Sequence, residues 1–150
     1  MGLVDRISSD LVTAMKARDA DTVATLRMAV AAIRNLRVAA GHSGEVTDAE
    51  ALDLLTREAR KRGEAAEAFA GAGRTDLAEK ERRELAVLQR YLPEQLDADA
   101  LRGLVDEAVA ETGATSPSDL GRVMSAVMPK VKGRADGRQV NALVRERLGP

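Results

Sequence analysis

The chain has 150 residues, 45% of them hydrophobic and 31% charged, with a formal net charge of −1 that names no partner. It has no cysteine, which excludes disulfides, thiolate metal sites and cysteine nucleophiles. Aromatic content is 1%, Phe69 and Tyr91 alone, so a core must be built from Leu, Val, Ile, Met and Ala, which suits packed helices better than a sheet.

No apolar run approaches the roughly 20 residues that a spanning helix needs. Asp5 stands where a signal peptide would have its apolar stretch. The expectation is a soluble cytoplasmic protein with no membrane partner. Length allows one domain or two small ones.

Taken in order, a first helix is expected over about Leu3 to Ala17, with Leu3, Ile7, Leu11 and Met15 on one side. Asp19 and Asp21 can cap a second, from about Thr22 to Ala40, striped by Val23, Leu26, Val30 and Ile33. Arg27, Arg34 and Arg37 fall on another side of it. They read as a solvated flank or as a phosphate-facing row. Gly41-His42-Ser43-Gly44 is a loop, and His42, the only histidine, has no acidic or cysteine partner at ligand spacing. Thr47 and Glu50 form a capping box for a third helix, about Asp48 to Ala70, whose Glu58, Glu64 and Glu67 are within reach of its Arg57, Arg60, Lys61 and Arg62.

A long helix comes after Gly73. Thr75 and Asp76 are its start residues, Leu77, Leu85, Leu88 and Leu92 its stripe, and Pro93 its stop. Glu79, Lys80, Glu81, Arg82, Arg83 and Glu84 read as a mixed-sign solvent face. Short connections favour antiparallel neighbours. Beyond Pro93 come three shorter helices. One runs from near Asp97 to about Thr112. One starts at Ser116-Pro117 and runs to about Met128. The last opens at Asp136, boxed with Gln139, and ends at Leu148. The expected architecture is all-α, with an N-terminal helical domain of about four helices (residues 1–92) and a three-helix tail (93–150).

Charge is segregated within that tail. From Glu94 to Leu120, seven acids face Arg102 alone. From Gly121 to Pro150 there are seven basic residues against Asp136 and Glu146, a local excess of five. The stretch KVKGRADGR concentrates it. Gly133 and Gly137 would let backbone approach a ligand, and Asp136 opens a helix N-terminus. Lys132, Arg134 and Arg138, with Arg122, Lys130 and Arg145 nearby, form a candidate phosphate or RNA surface. The alternative reading is local: cations complement a helix C-terminus, and glycines serve a tight turn. The tail has no aromatic for stacking bases, so backbone or shape contact is the expected mode. No nucleotide-cradling, nucleophile-elbow or zincin motif is present, and neither a metal site, a cofactor nor catalytic residues are expected. These features set no oligomeric state.

The stretches AMKARD (14–19), LRM (26–28), GRTDLAEKE (73–81), YLPEQL (91–96), DLGRVM (119–124) and KGRADG (132–137) resemble the GatB/YqeY family in its stand-alone YqeY-like form. The resemblance spans nearly the whole chain. It implies an all-helical protein related to the tail of the B subunit of glutamine-dependent tRNA amidotransferase, a region that helps to hold tRNA. It also implies the family label of carbon–nitrogen ligase with glutamine as amido-N-donor, or a place beside amidotransferase machinery. The large catalytic part of that B subunit and a glutaminase part have no counterpart here. The expected function is therefore that of a non-catalytic accessory that binds tRNA or another structured RNA through the tail turn. The alternatives are a component of such an enzyme and a protein-interaction module.

Overall fold

Local caps explain where most helices begin. A computed structural model describes residues 2–39 and 41–150. Among them the chain forms seven α-helices, one short 3-10 helix and no strand, so the fold is all-α. Helices α1 (Leu3–Ala17), α2 (Ala20–Arg37), α3 (Asp48–Gly71) and α4 (Thr75–Gln89) lie in one compact unit, Met1–Leu92. Helices α5 (Ala98–Thr112), α6 (Leu120–Val131) and α7 (Gly137–Leu148), with the 3-10 turn Pro117–Asp119, lie in a second, Pro93–Pro150.

The carboxylate of Asp19 accepts the Thr22 N–H at 3.3 Å and the Thr22 hydroxyl at 2.7 Å, starting α2. These bonds hold its carboxyl below the usual range. Helix α2 ends at Arg37, and the expected end at Ala40 lies outside the described residues. Thr47 and Glu50 form the reciprocal box at the head of α3. Asp97 caps α5 through the Ala100 N–H at 2.8 Å.

Four expectations give way. First, α4 begins at the expected Thr75 but without the expected side-chain cap. Arg74 is its N-cap, and neither Thr75 nor Asp76 supplies a side-chain cap. Gly73, at φ 75°, swings the chain directly out of α3, and the Arg74 N–H bonds back to the Phe69 carbonyl. At its other end Arg90, Tyr91 and Leu92 donate to Val87, Leu88 and Gln89, a tightened turn that Pro93 forces. Second, α6 continues through Pro129 to Val131. A proline inside a helix costs about 3 kcal/mol. Val127 and Val131 are both fully buried, and their burial holds the last turn helical. Third, His42 does have an acidic partner: its Nε2 lies 2.8 Å from Glu50 Oε2. The loop before α3 folds back onto the helix start, a contact that spacing along the chain hides. Fourth, Glu84 is not on a solvated face. Its side chain is 16% exposed and faces Arg62 Nε at 3.4 Å, while Arg62 also bonds Glu58 at 2.9 Å.

Each unit has its own core. Ile7, Leu26, Ile33, Leu54, Leu55, Val87 and Leu88 fill the first. Of the expected α4 stripe only Leu88 is fully buried, with Ala78 and Val87 taking the rest of that face. Leu101, Val105, Val123, Val127, Val131, Val140 and Val144 fill the second.

The start of α6 carries a pH dependence. Asp119 Oδ2 accepts the N–H groups of Thr115 at 3.0 Å and Ser116 at 3.2 Å, and Oδ1 accepts Arg122 at 2.6 Å. These bonds, the Thr115 one foremost, hold its pKa down at about 2, below the ordinary 3.8. A depressed folded value means stability present above pH 3.8 that is lost as pH falls toward 2. Asp119→Asn should therefore be less stable than the parent at neutral pH and flatter in an acid titration followed by circular dichroism between about pH 4 and 2.

Candidate nucleic-acid interface

The basic turn lies between α6 and α7 and is fixed from behind by the residues that lead into α5. Gln95 Nε2 donates to the Gly133 carbonyl at 2.8 Å and to the Pro93 carbonyl at 2.9 Å. The Leu96 N–H donates to the Arg134 carbonyl at 3.0 Å, and Arg134 Nε donates to the Glu94 carbonyl at 3.2 Å. The N–H groups of Arg134 and Ala135 both return to Val131. Gly133 is buried at φ 74°, a left-handed conformation that closes α6 and suits glycine.

These bonds overturn the expectation that the two glycines admit a ligand. The Gly133 carbonyl is held by Gln95, so its backbone meets protein. Gly137 is the first residue of α7, and a Cβ there would meet Met128 Cε at 3.8 Å, an ordinary contact. The helix N-terminus is also taken: Asp136 Oδ1 accepts the Arg138 N–H at 2.7 Å. The described cap bond goes to Arg138 rather than to Gln139. A carboxylate sits where a phosphate would, so anion contact falls to side chains.

The six candidate side chains separate by their partners. Arg122 lies near the start of α6, about 15 Å along the axis from Lys132. It is committed to Asp119 and to the Thr112 carbonyl at 3.0 Å. Lys130 pairs with Glu111 on α5 at 2.8 Å, and that bond raises its pKa. Both charges are neutralised locally. Arg134 spends Nε on a neutral carbonyl, so its charge remains. Arg145 Nε bonds the neutral Asn141 Oδ1 at 2.7 Å. Lys132 and Arg138 are exposed, and among the described residues their side chains have no carboxylate partner. Arg138 and Arg145, seven apart on α7, share one helix face about 10 Å long. Arg147, beyond the candidate set, pairs with Asp106 at 2.9 Å.

Among the described residues, Lys132, Arg134, Arg138 and Arg145, in and after the turn, thus have no carboxylate ion pair. Sequence reading missed Gln95 and the Glu94 carbonyl as the staple. Both lie in the YLPEQL stretch, which carried the resemblance without a physical role. Among the described residues no group of three His, Asp or Glu side chains could hold a metal ion. None of their helices is long and apolar enough to cross a membrane.

A fold of two helical units whose second unit presents a stapled basic turn defines a class of small all-helical proteins. The chain belongs to the family of Yqey-like proteins, whose family model matches residues 4–148. It is 32% identical, over 98% of this chain and 81% of the relative, to a Pyrenophora tritici-repentis protein named altered inheritance of mitochondria protein 41, mitochondrial. It is 34% identical, over 59% of this chain and 70% of the relative, to an uncharacterised protein of Schizosaccharomyces pombe.

Proposed function

We propose that the chain is a non-catalytic accessory that binds tRNA or another structured RNA through the turn after α6. Lys132, Arg134, Arg138 and Arg145 contact phosphate oxygens, and the tRNA of an amidotransferase reaction is the substrate class that the resemblance singles out. The observation that supports this most is the pairing pattern. Carboxylates neutralise Arg122, Lys130 and Arg147, while Lys132 and Arg138 are left exposed beside a turn held rigid by Gln95 and Leu96. A rigid turn costs little ordering entropy on binding. Contact with phosphates alone makes the binding salt-dependent and tolerant of sequence.

Fluorescence titration with bulk tRNA at two salt concentrations tests the reading. Lys132→Glu with Arg138→Glu should weaken binding about tenfold or more and lower the salt slope by about two. Lys130→Ala, which removes a neutralised charge, should change binding less. No binding at low salt, or binding indifferent to the charge reversals, removes the proposal.

A further inference from the structure

The turn after α6 is held from both sides. The Gly133 carbonyl accepts Gln95 Nε2 at 2.8 Å, and the Arg134 carbonyl accepts the Leu96 N–H at 3.0 Å. The N–H groups of Arg134 and Ala135 donate to the Val131 carbonyl at 2.8 and 3.1 Å. Gln95 Nε2 also donates to the Pro93 carbonyl at 2.9 Å, so one amide ties the turn to the entry of α5. Val131, Gly133 and Ala135 are buried, while Lys132 between them is exposed and Arg134 half-buried.

The cations therefore sit on fixed supports. Arg134 Nε is held at the Glu94 carbonyl at 3.2 Å. Arg138 and Arg145 share one face of α7 about 10 Å long. The track is also short. Glu111 and Asp106 of α5 pair with Lys130 on α6 and Arg147 on α7, which ends the basic surface on both helices. A row of this kind meets phosphates best when they are already spaced. A single strand must be ordered onto it, at an entropic cost that single-strand binders offset by stacking bases on aromatic rings. The rings of this chain, His42, Phe69 and Tyr91, all lie in the first unit. A helical stem presents its phosphates in place and is recognised by shape and backbone.

We infer that the turn and α7 read helical RNA, which narrows the substrate class of the RNA reading above and rests on it. Lys132, Arg134, Arg138 and Arg145 grip the backbone of a double-stranded stem in preference to a single strand. Gln95 is the positioning residue that sets the preference. Its amide is spent on two carbonyls, so it acts through the turn rather than by touching RNA.

The probes are a fluorescein-labelled RNA duplex of about 12 base pairs and a labelled uridine strand of about 24 nucleotides, matched in phosphate number. Titrated with the full chain at one salt concentration, the duplex should bind about tenfold more tightly. Charge density alone favours a duplex, so the decisive quantity is the ratio of the two affinities in Gln95→Met, which keeps the side chain's length and removes its donors. Duplex affinity should fall about fivefold and single-strand affinity less than about twofold. A variant that merely loses folded protein weakens both probes equally and leaves the ratio unchanged. Gln95→Asn, too short to reach both carbonyls, should lower the ratio in the same direction and replaces Gln95→Met if that variant does not fold. Equal binding of the two probes by the parent, or a ratio that neither Gln95 variant lowers, overturns the inference; the RNA reading then still stands if Lys132→Glu with Arg138→Glu weakens the duplex. A parent that binds neither probe, or charge reversals that weaken neither, removes the RNA reading and the duplex preference together.

Discussion

Arg62→Ala should lower the unfolding free energy of the first unit by about 2–4 kcal/mol, because it strips a half-buried pair of carboxylates of their cation. Arg62 is 13% exposed, Glu58 19% and Glu84 16%. Removing the guanidinium leaves Glu84 facing α3 with no charge to meet it, and Glu58 with only the exposed Lys61 at 3.4 Å. An ordinary surface pair is worth well under about 1 kcal/mol, so the magnitude separates the two cases. Tyr91 makes the measurement selective. It is the only tyrosine, there is no tryptophan, and it lies in the first unit. Its hydroxyl donates to Asp10 at 2.6 Å, and burial followed by that bond pushes its pKa up, so its emission reports that environment. Urea unfolding followed by tyrosine emission should show the lowered midpoint. A loss below about 0.5 kcal/mol would place Arg62 among ordinary solvated charges.

Gly133→Val should destabilise the second unit by about 2–4 kcal/mol. A β-branched side chain at φ 74° costs more than the roughly 1–2 kcal/mol that an L-residue meets in the left-handed region. Gly133 is also buried, so the added methyls must displace neighbours. Thermal unfolding of the full chain followed by far-ultraviolet ellipticity measures the loss, and Gly133→Ala should fall between valine and the parent. A valine variant that melts with the parent would show that the turn relaxes freely.

How much of this was legible in the sequence depends on the range of each interaction. Most signals within four residues read correctly, although Thr75 and Asp76 supply no cap and Asp136 caps through Arg138 in place of Gln139. Thr47 with Glu50, Asp19 before α2 and Asp97 before α5 all cap where their spacing says. The all-α class and the ends of α1 were equally plain from the spacing of Leu3, Ile7 and Leu11, but Met15, expected on the same stripe, stands 48% exposed and Ala14 is buried in its place. Contacts across the fold were not readable. Arg62 and Glu84 are 22 residues apart in sequence, and Gln95 and Gly133 are 38, so no local pattern marks them. Pro129 misled for a related reason. Its local preference is real, but core burial of Val131 outweighs it. The basic turn was visible as a charge count. Which of its cations stay uncompensated was not, because Glu111 and Asp106 reach theirs from another helix.

The ties between Pro93–Leu96 and the turn also decide where the chain can be divided. A fragment that begins at Pro93 keeps the Gln95 and Leu96 donors and the Glu94 carbonyl, so Gly133 and Arg134 stay satisfied. One that begins at Asp97 retains all three helices of the second unit yet loses every one of those bonds. Four residues that add no helix and little core thus decide whether a fragment of the second unit keeps the bonds that hold its most charged loop, and a protease series across Leu92 to Asp97 would read out that boundary directly.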